Sequence, residues 1–216
     1  MTSDLWTSLA ADTTSTVAES DAANGVLVLT NSNTDNNECA VFTTTEPFKV
    51  AADRVIYGEV RLQFTELTGG ASNVAFGFGD TMGAANFIAD GGSQTSSHAV
   101  SGADSFVIYK IDGGTVWRAG CEINSTDIND TVSVQTAGGS SYQRLGIEIR
   151  AVTSTEAEVT YFLDGYALTD SNNRPIKHTI TYASSTEMNF GVYAKTGTTE
   201  EQIVLVDYLY ASQNRF

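Results

Sequence analysis

From Arg54 to Thr65 the chain alternates residue by residue: Ile56, Gly58, Val60, Leu62 and Phe64 share one face, and Tyr57, Glu59, Arg61 and Gln63 share the other. Such a segment fits an antiparallel sheet with one face on a core and the other in water, and no helix can satisfy it. Similar stretches recur at Val26–Thr30, Asn73–Phe78, Ser105–Ile111, Thr115–Arg118, Arg144–Val152, Glu156–Leu163, Lys177–Tyr182, Met188–Ala194 and Gln202–Tyr210. Asn24-Gly25, Thr68-Gly69-Gly70, Asp112-Gly113-Gly114 and Asp164-Gly165 punctuate them with turn chemistry. About ten strands and only 2 prolines in 216 residues predict an all-β fold, an antiparallel two-sheet sandwich or jelly roll. No composition shift marks a linker, so a single domain over residues 1–216 is expected, with residues 1–20 as a peripheral N-terminal arm. Ser3–Ala11 holds the one short helical-turn signal, and Asp90–Asp104 reads as a long surface loop.

The last stretch departs from the pattern. In Gln202–Tyr210 both faces are apolar apart from Asp207, as in a strand covered on both sides. Two covers are expected on equal terms: the chain's own N-terminal segment around Trp6, or a partner.

The net charge of −15 repels nucleic-acid backbones and anionic membranes, and lysine and arginine are scattered singly, so neither is expected as a partner. No apolar run is long enough to span a bilayer, and Met1–Trp6 lacks the basic and apolar regions of a secretory signal. Cys39 and Cys121 can form at most one bridge and are expected as two small buried thiols.

The residues offer little chemistry. Hydrolysis by serine or cysteine needs a base within reach; His98 sits in a serine-rich loop and His178 on a strand, both expected as surface histidines. Two isolated histidines and two isolated cysteines do not make a zinc set. Asp35–Glu38 and Asp127–Asp130 supply oxygens without the EF-hand pattern and read as solvated acidic loops. Retaining glycosidases need carboxylates about 5–5.5 Å apart; Glu156 and Glu158 are the nearest candidates, and no third acid follows in phase. Gly77, Gly79 and Gly83 lack the spacing and following helix of a dinucleotide loop and are read as allowing close sheet packing. The expectation is a non-enzyme with no catalytic residues, no cofactor and no metal.

Several segments are similar to known proteins. Asn73-Val74-Ala75-Phe76-Gly77-Phe78-Gly79-Asp80, the hairpin Glu158–Gly165, and Met188–Lys195 followed by Val204–Tyr210 resemble the concanavalin A-like lectin/glucanase jelly roll. Ser105–Trp117, Tyr142–Ile149 and Val206–Leu209 resemble tailed-bacteriophage proteins of that fold that decorate or cement the head. The resemblance covers most of Asn73 to Arg215. It implies a virion structural protein on the capsid outer surface, made in the bacterial cytoplasm, with the major capsid protein as partner. A small homo-oligomer, trimer or dimer, is expected, with Trp6 and Phe216 as contact anchors. The alternative is a lectin-like carbohydrate-binding module with Tyr57, Trp117, Tyr161 or Tyr193 as stacking platform. A glycoside hydrolase ranks third.

Overall fold

The computed structural model describes residues 5–10, 12–20, 25–83, 87–88, 100, 102, 104–182 and 185–214. Fifteen strands among these residues form two antiparallel sheets. The seven-stranded sheet runs in the order β1 (Trp6–Ala10), β4 (Glu38–Thr43), β14 (Asn189–Thr196), β6 (Ser72–Gly79), β7 (Ser105–Lys110), β8 (Val116–Ile123), β9 (Asp127–Thr136). The eight-stranded sheet runs β12 (Tyr166–Ala167), β11 (Glu156–Leu163), β10 (Gln143–Ala151), β5 (Val55–Phe64), β15 (Gln202–Gln213), β3 (Val26–Asn31), β2 (Thr16–Ser20). The remaining strand, β13 (Lys177–Thr181), pairs with β11. The two-layer all-β expectation is met. One local reading is corrected: within Ser3–Ala11, the described residues Trp6 to Ala10 form strand β1, paired with the open edge of β4, rather than a helical turn.

The two sheets differ in how they meet water. In β5 burial alternates with the sequence, Ile56, Val60, Leu62 and Phe64 pointing inward, so the eight-stranded sheet keeps one open face. In β6, β7 and β14 every residue is buried. Their inner residues (Phe76, Phe78, Ile108, Phe190, Val192) join the main core, while Ala75, Val107, Tyr109 and Tyr193 pack outward under Met82, Phe87, Ile88 and Val100. Glycines keep neighbouring strands of this sheet close: a Cβ on Gly77 would lie 2.1 Å from the Phe106 carbonyl oxygen, and one on Gly191 would lie 2.2 Å from that of Val41. The 90–104 segment, expected as a surface loop, lies largely outside the described residues; of its described members, Val100 and Asp104 are buried and Gly102 is half-buried.

A bulge explains the unusual last strand. Val206 pairs with Leu62 and Tyr208 with Arg61, so Asp207 is an extra residue in β15. A one-residue slip reverses the facing of everything beyond it. Before the bulge Val204 and Val206 face the core; after it Leu209 does, which turns Tyr208 and Tyr210 outward beside Glu59 and Arg61. Trp6 lies on the other sheet and packs against the core beside β15, while Ile203 and Tyr210 are exposed.

One buried pair is energetically unfavourable. Asn31 and Gln202 are cross-strand partners with no exposed surface, and neither amide has a hydrogen-bond partner among the described residues. An unsatisfied buried polar group costs about 1–3 kcal/mol, whereas apolar replacements of similar shape are neutral or stabilising. The double substitution Asn31→Leu/Gln202→Met is therefore expected to raise the unfolding free energy by about 1–3 kcal/mol, read as a higher urea midpoint at unchanged slope.

Candidate functional site

The open face of the eight-stranded sheet can be read as a grid from the strand register. Glu148 of β10 lies between Thr160 and Tyr57, and Gly146 between Phe162 and Glu59. Across β5, Glu59 faces Tyr210 and Arg61 faces Tyr208. Gly146 thus leaves a gap in the middle of the face, and a Cβ there would sit 3.2 Å from the Tyr57 hydroxyl. The gap is a groove of about 290 Å³ lined by Tyr57, Glu59, Arg144, Glu148, Phe162 and Gly165.

Its walls are held by short-range chemistry. Asp164 and Gly165 have positive φ, as the two-residue turn joining Leu163 to Tyr166 requires. The Asp164 carboxylate accepts from the Arg144 N–H at 2.9 Å, and the Asp164 N–H donates to the Arg144 carbonyl at 2.7 Å, fixing the backbone below the guanidinium. Glu59 accepts from the hydroxyls of Tyr57 at 2.6 Å and Tyr208 at 2.5 Å, with Arg144 Nε at 3.9 Å. Burial, then the Glu59 carboxylate, push the Tyr57 phenol above its ordinary range; the same causes raise Tyr208 to about 12. Both phenols stay protonated and donate. The Tyr57 and Tyr210 rings lie 6.4 Å apart, and Arg61 stacks 4.3 Å over Tyr142 while bonding Asp207 at 2.5 Å. Exposed ring faces beside hydrogen-bonding carboxylates and a guanidinium suit a ligand with both apolar faces and hydroxyls.

Of the aromatics expected as a platform, only Tyr57 lies here. Trp117 and Tyr161 have no exposed surface and point into the core, Trp117 edge-on to Phe64. Tyr193 faces outward from the seven-stranded sheet but is covered by Phe87 and donates to Glu38. Trp6 is half-buried against Phe190 at 6.4 Å and lines an edge cleft of about 390 Å³ with Leu27, Val41 and Val206. Phe216 and His98 lie outside the described residues. Glu158 pairs with Lys177 at 2.7 Å, while Glu156 is exposed at the strand end. The Asp127 carboxylate accepts from the Thr181 N–H, and Asp130 is buried against Arg118 and Tyr109, so these acids brace β9 rather than sit solvated in a loop. Among the described residues no group of three His, Cys, Asp or Glu is placed to hold a metal.

His178 requires a correction. It was expected on the surface, but β13 turns His178 and Ile180 inward, and the imidazole is buried between the sheets. Its Nδ1 lies 3.0 Å from the Tyr161 hydroxyl and 3.5 Å from Cys121 Sγ, and its Nε2 lies 3.0 Å from the Thr131 hydroxyl. Burial raises the Cys121 thiol to about 12, so this cysteine–histidine contact is a neutral packed pair rather than an activated nucleophile. Cys39 and Cys121 are both free and buried.

No protein-family model and no curated protein matches this sequence. Solved structures do match. An endo-β-1,4-glucuronan lyase from Trichoderma reesei aligns over 93% of this chain and 88% of its own, with TM-score 0.60 at 14% identity. The carbohydrate recognition domain of Emp46p aligns over 96% and 88%, with TM-score 0.58 at 9% identity. An endo-1,3-β-glucanase from Streptomyces sioyaensis aligns over 88% and 76%, with TM-score 0.56 at 16% identity. The fold is a concanavalin A-like jelly roll. At these identities the likeness speaks to architecture alone. It still overturns one expectation: a glucanase and a lyase share this scaffold, so the missing glucanase-type acid run is no ground for excluding an enzyme.

Proposed function

We propose that this protein binds a carbohydrate on the open face of its eight-stranded sheet, in the groove over Gly146. The observation that carries this reading is the arrangement around that gap: Tyr57 and Phe162 as apolar walls, with Glu59, Glu148 and Arg144 as hydrogen-bonding groups. The fold, shared with a carbohydrate recognition domain and with polysaccharide-cleaving enzymes, supports it. Two carboxylates in the groove and a net charge of −15 favour a neutral glycan over a uronate.

Calorimetric titration with β-1,3-gluco- and β-1,4-glucurono-oligosaccharides tests this. Saturable binding of the neutral series is expected. Tyr57→Ala should weaken it by about 2 kcal/mol, roughly thirtyfold, as removal of a central aromatic anchor does. Absence of binding to both series, or binding indifferent to Tyr57→Ala, overturns the proposal. Reducing ends are followed in the same samples. Glu148 is diagonal to Glu59 across neighbouring strands, and both carboxylates line the groove, the type of acid pair that glycoside hydrolysis uses. Turnover lost in both Glu59→Gln and Glu148→Gln would extend the reading from binding to hydrolysis.

The second reading, a decoration subunit bound to the major capsid protein as a small oligomer, rests on the strand and hairpin resemblance. One surface feature favours it: β9 ends the seven-stranded sheet and exposes Ile128, Val132 and Val134 along one side. Imaging undecorated capsids mixed with the protein decides it, with regular added density for and none against.

A further inference from the structure

The open face changes character along β15. Beyond the Arg61–Asp207 pair, the tyrosines give way to aliphatic residues and acids. A second groove there, about 440 Å³, has Leu67, Ile203 and Leu205 on its floor and Glu66, Glu200 and Glu201 at its rim. Its one ring, Phe64, is buried in the core, and no lysine or arginine lines it.

Two facts set this groove apart from an ordinary solvated strand face. Ile203 is 43% exposed at a position where alternation calls for a polar residue, and nothing among the described residues covers it. The rim acids are also held in place. Glu200 accepts from the Thr68 N–H at 3.1 Å, whereas Glu66 is already charge-paired with the buried Lys110 ammonium at 2.8 Å, which leaves Glu200 and Glu201 as the acids that face a ligand.

An aliphatic floor under a carboxylate rim matches the lysine or arginine side chain, whose stem packs on apolar surface while its head meets acids. It does not match a sugar, which needs an exposed ring. Nor does it match a nucleic acid or an anionic membrane, which these acids repel. We propose that this groove docks an extended, basic segment of a protein partner, independently of the glycan groove over Gly146. Alternate side chains of such a segment would point down onto Ile203 and Leu205, with their charged heads meeting Glu200 and Glu201.

The test is fluorescence anisotropy with a labelled octapeptide of alternating lysine and threonine. Saturable binding that weakens with added salt is expected. Glu200→Gln/Glu201→Gln, which keeps the acceptor for Thr68, should weaken it by about tenfold or more, and Ile203→Ser severalfold. Glu46→Gln/Asp53→Asn removes the same charge elsewhere on the surface and should leave binding unchanged. Equal loss in both double variants would mean that only net charge matters, and the proposal falls. It falls equally if the peptide does not saturate, if a glutamate–threonine octapeptide binds as well, or if β-gluco-oligosaccharide displaces the peptide. A dimer in sedimentation equilibrium that Ile203→Ser dissociates would assign the groove to a second copy of the chain and also overturn it.

Discussion

Replacing Arg118 with methionine is expected to destabilise the protein by about 3–5 kcal/mol, because it leaves the Asp130 carboxylate buried without its cation. Arg118 of β8 and Asp130 of β9 form an ion pair in which each side chain is 5% exposed. The Tyr109 hydroxyl donates to Asp130 at 2.9 Å and accepts from Arg118 Nε at 3.2 Å, which makes a three-membered network. Coulomb attraction there offsets a large desolvation penalty only while all three members are present. For a chain of this size the loss corresponds to a melting shift of roughly 10 °C. The triple substitution Arg118→Met/Asp130→Leu/Tyr109→Phe removes both charges and the bridging hydroxyl together. It should recover more than half of the lost stability, since apolar replacement of a complete buried pair is often neutral. Urea unfolding of both variants checks this. A triple variant as unstable as the single one would mean that Arg118 acts through packing rather than charge.

What the residues disclosed, and what they concealed, follows from the range of the interactions involved. The β5 alternation is local, and it correctly separates Ile56, Val60, Leu62 and Phe64 from Tyr57, Glu59 and Arg61. The Asp164-Gly165 turn is equally local. The groove is not. It exists because Gly146 falls between Phe162 and Glu59, and that register is set by pairings between segments far apart in the chain. Tyr208 and Tyr210 were hidden for another reason: the Asp207 bulge reverses the facing of β15 midway, so the strand reads as apolar on both sides. Trp117 and Tyr161 look like platform residues by type. Their parity tells otherwise, since Trp117 shares a face with Ala119 and Cys121, and Tyr161 with Ala157 and Val159. Parity also marks His178 with Ile180 as inward. The neighbouring Lys177 and Thr179 made the segment look solvent-facing, and the closing of the sandwich edge by β13 against β11 is a tertiary event.

That buried histidine should make the fold acid-sensitive in a defined window. Burial holds the His178 imidazole at about 4, well below its ordinary 6.5, with the Asp130 carboxylate opposing part of the effect. The groups facing it are neutral: the Tyr161 phenol, raised well above its usual range chiefly by burial, the Cys121 thiol raised to about 12, and the Thr131 hydroxyl. The Tyr161 and Thr131 hydroxyls, each able to donate or accept, lie 3.0 Å from Nδ1 and Nε2, so the neutral ring satisfies both nitrogens. Above pH 6.5 neither the folded nor the unfolded chain protonates this ring, and its contribution is complete. Between pH 6.5 and 4 the unfolded chain takes up a proton that the folded chain refuses, so stability falls with falling pH, by about 3 kcal/mol across the window. Below pH 4 both states are protonated and the loss levels off. Asp12, lowered to about 2 by hydrogen bonds from Ser15 and Thr14, acts in the same direction but only below its ordinary 3.8. Urea unfolding from pH 7.5 to 4 measures the effect, and His178→Gln isolates it. The variant should start less stable and show a pH dependence shallower by that amount. Parallel curves for the two proteins would show that His178 titrates alike in the folded and unfolded states, and would remove it as the acid-sensitive lock between the sheets.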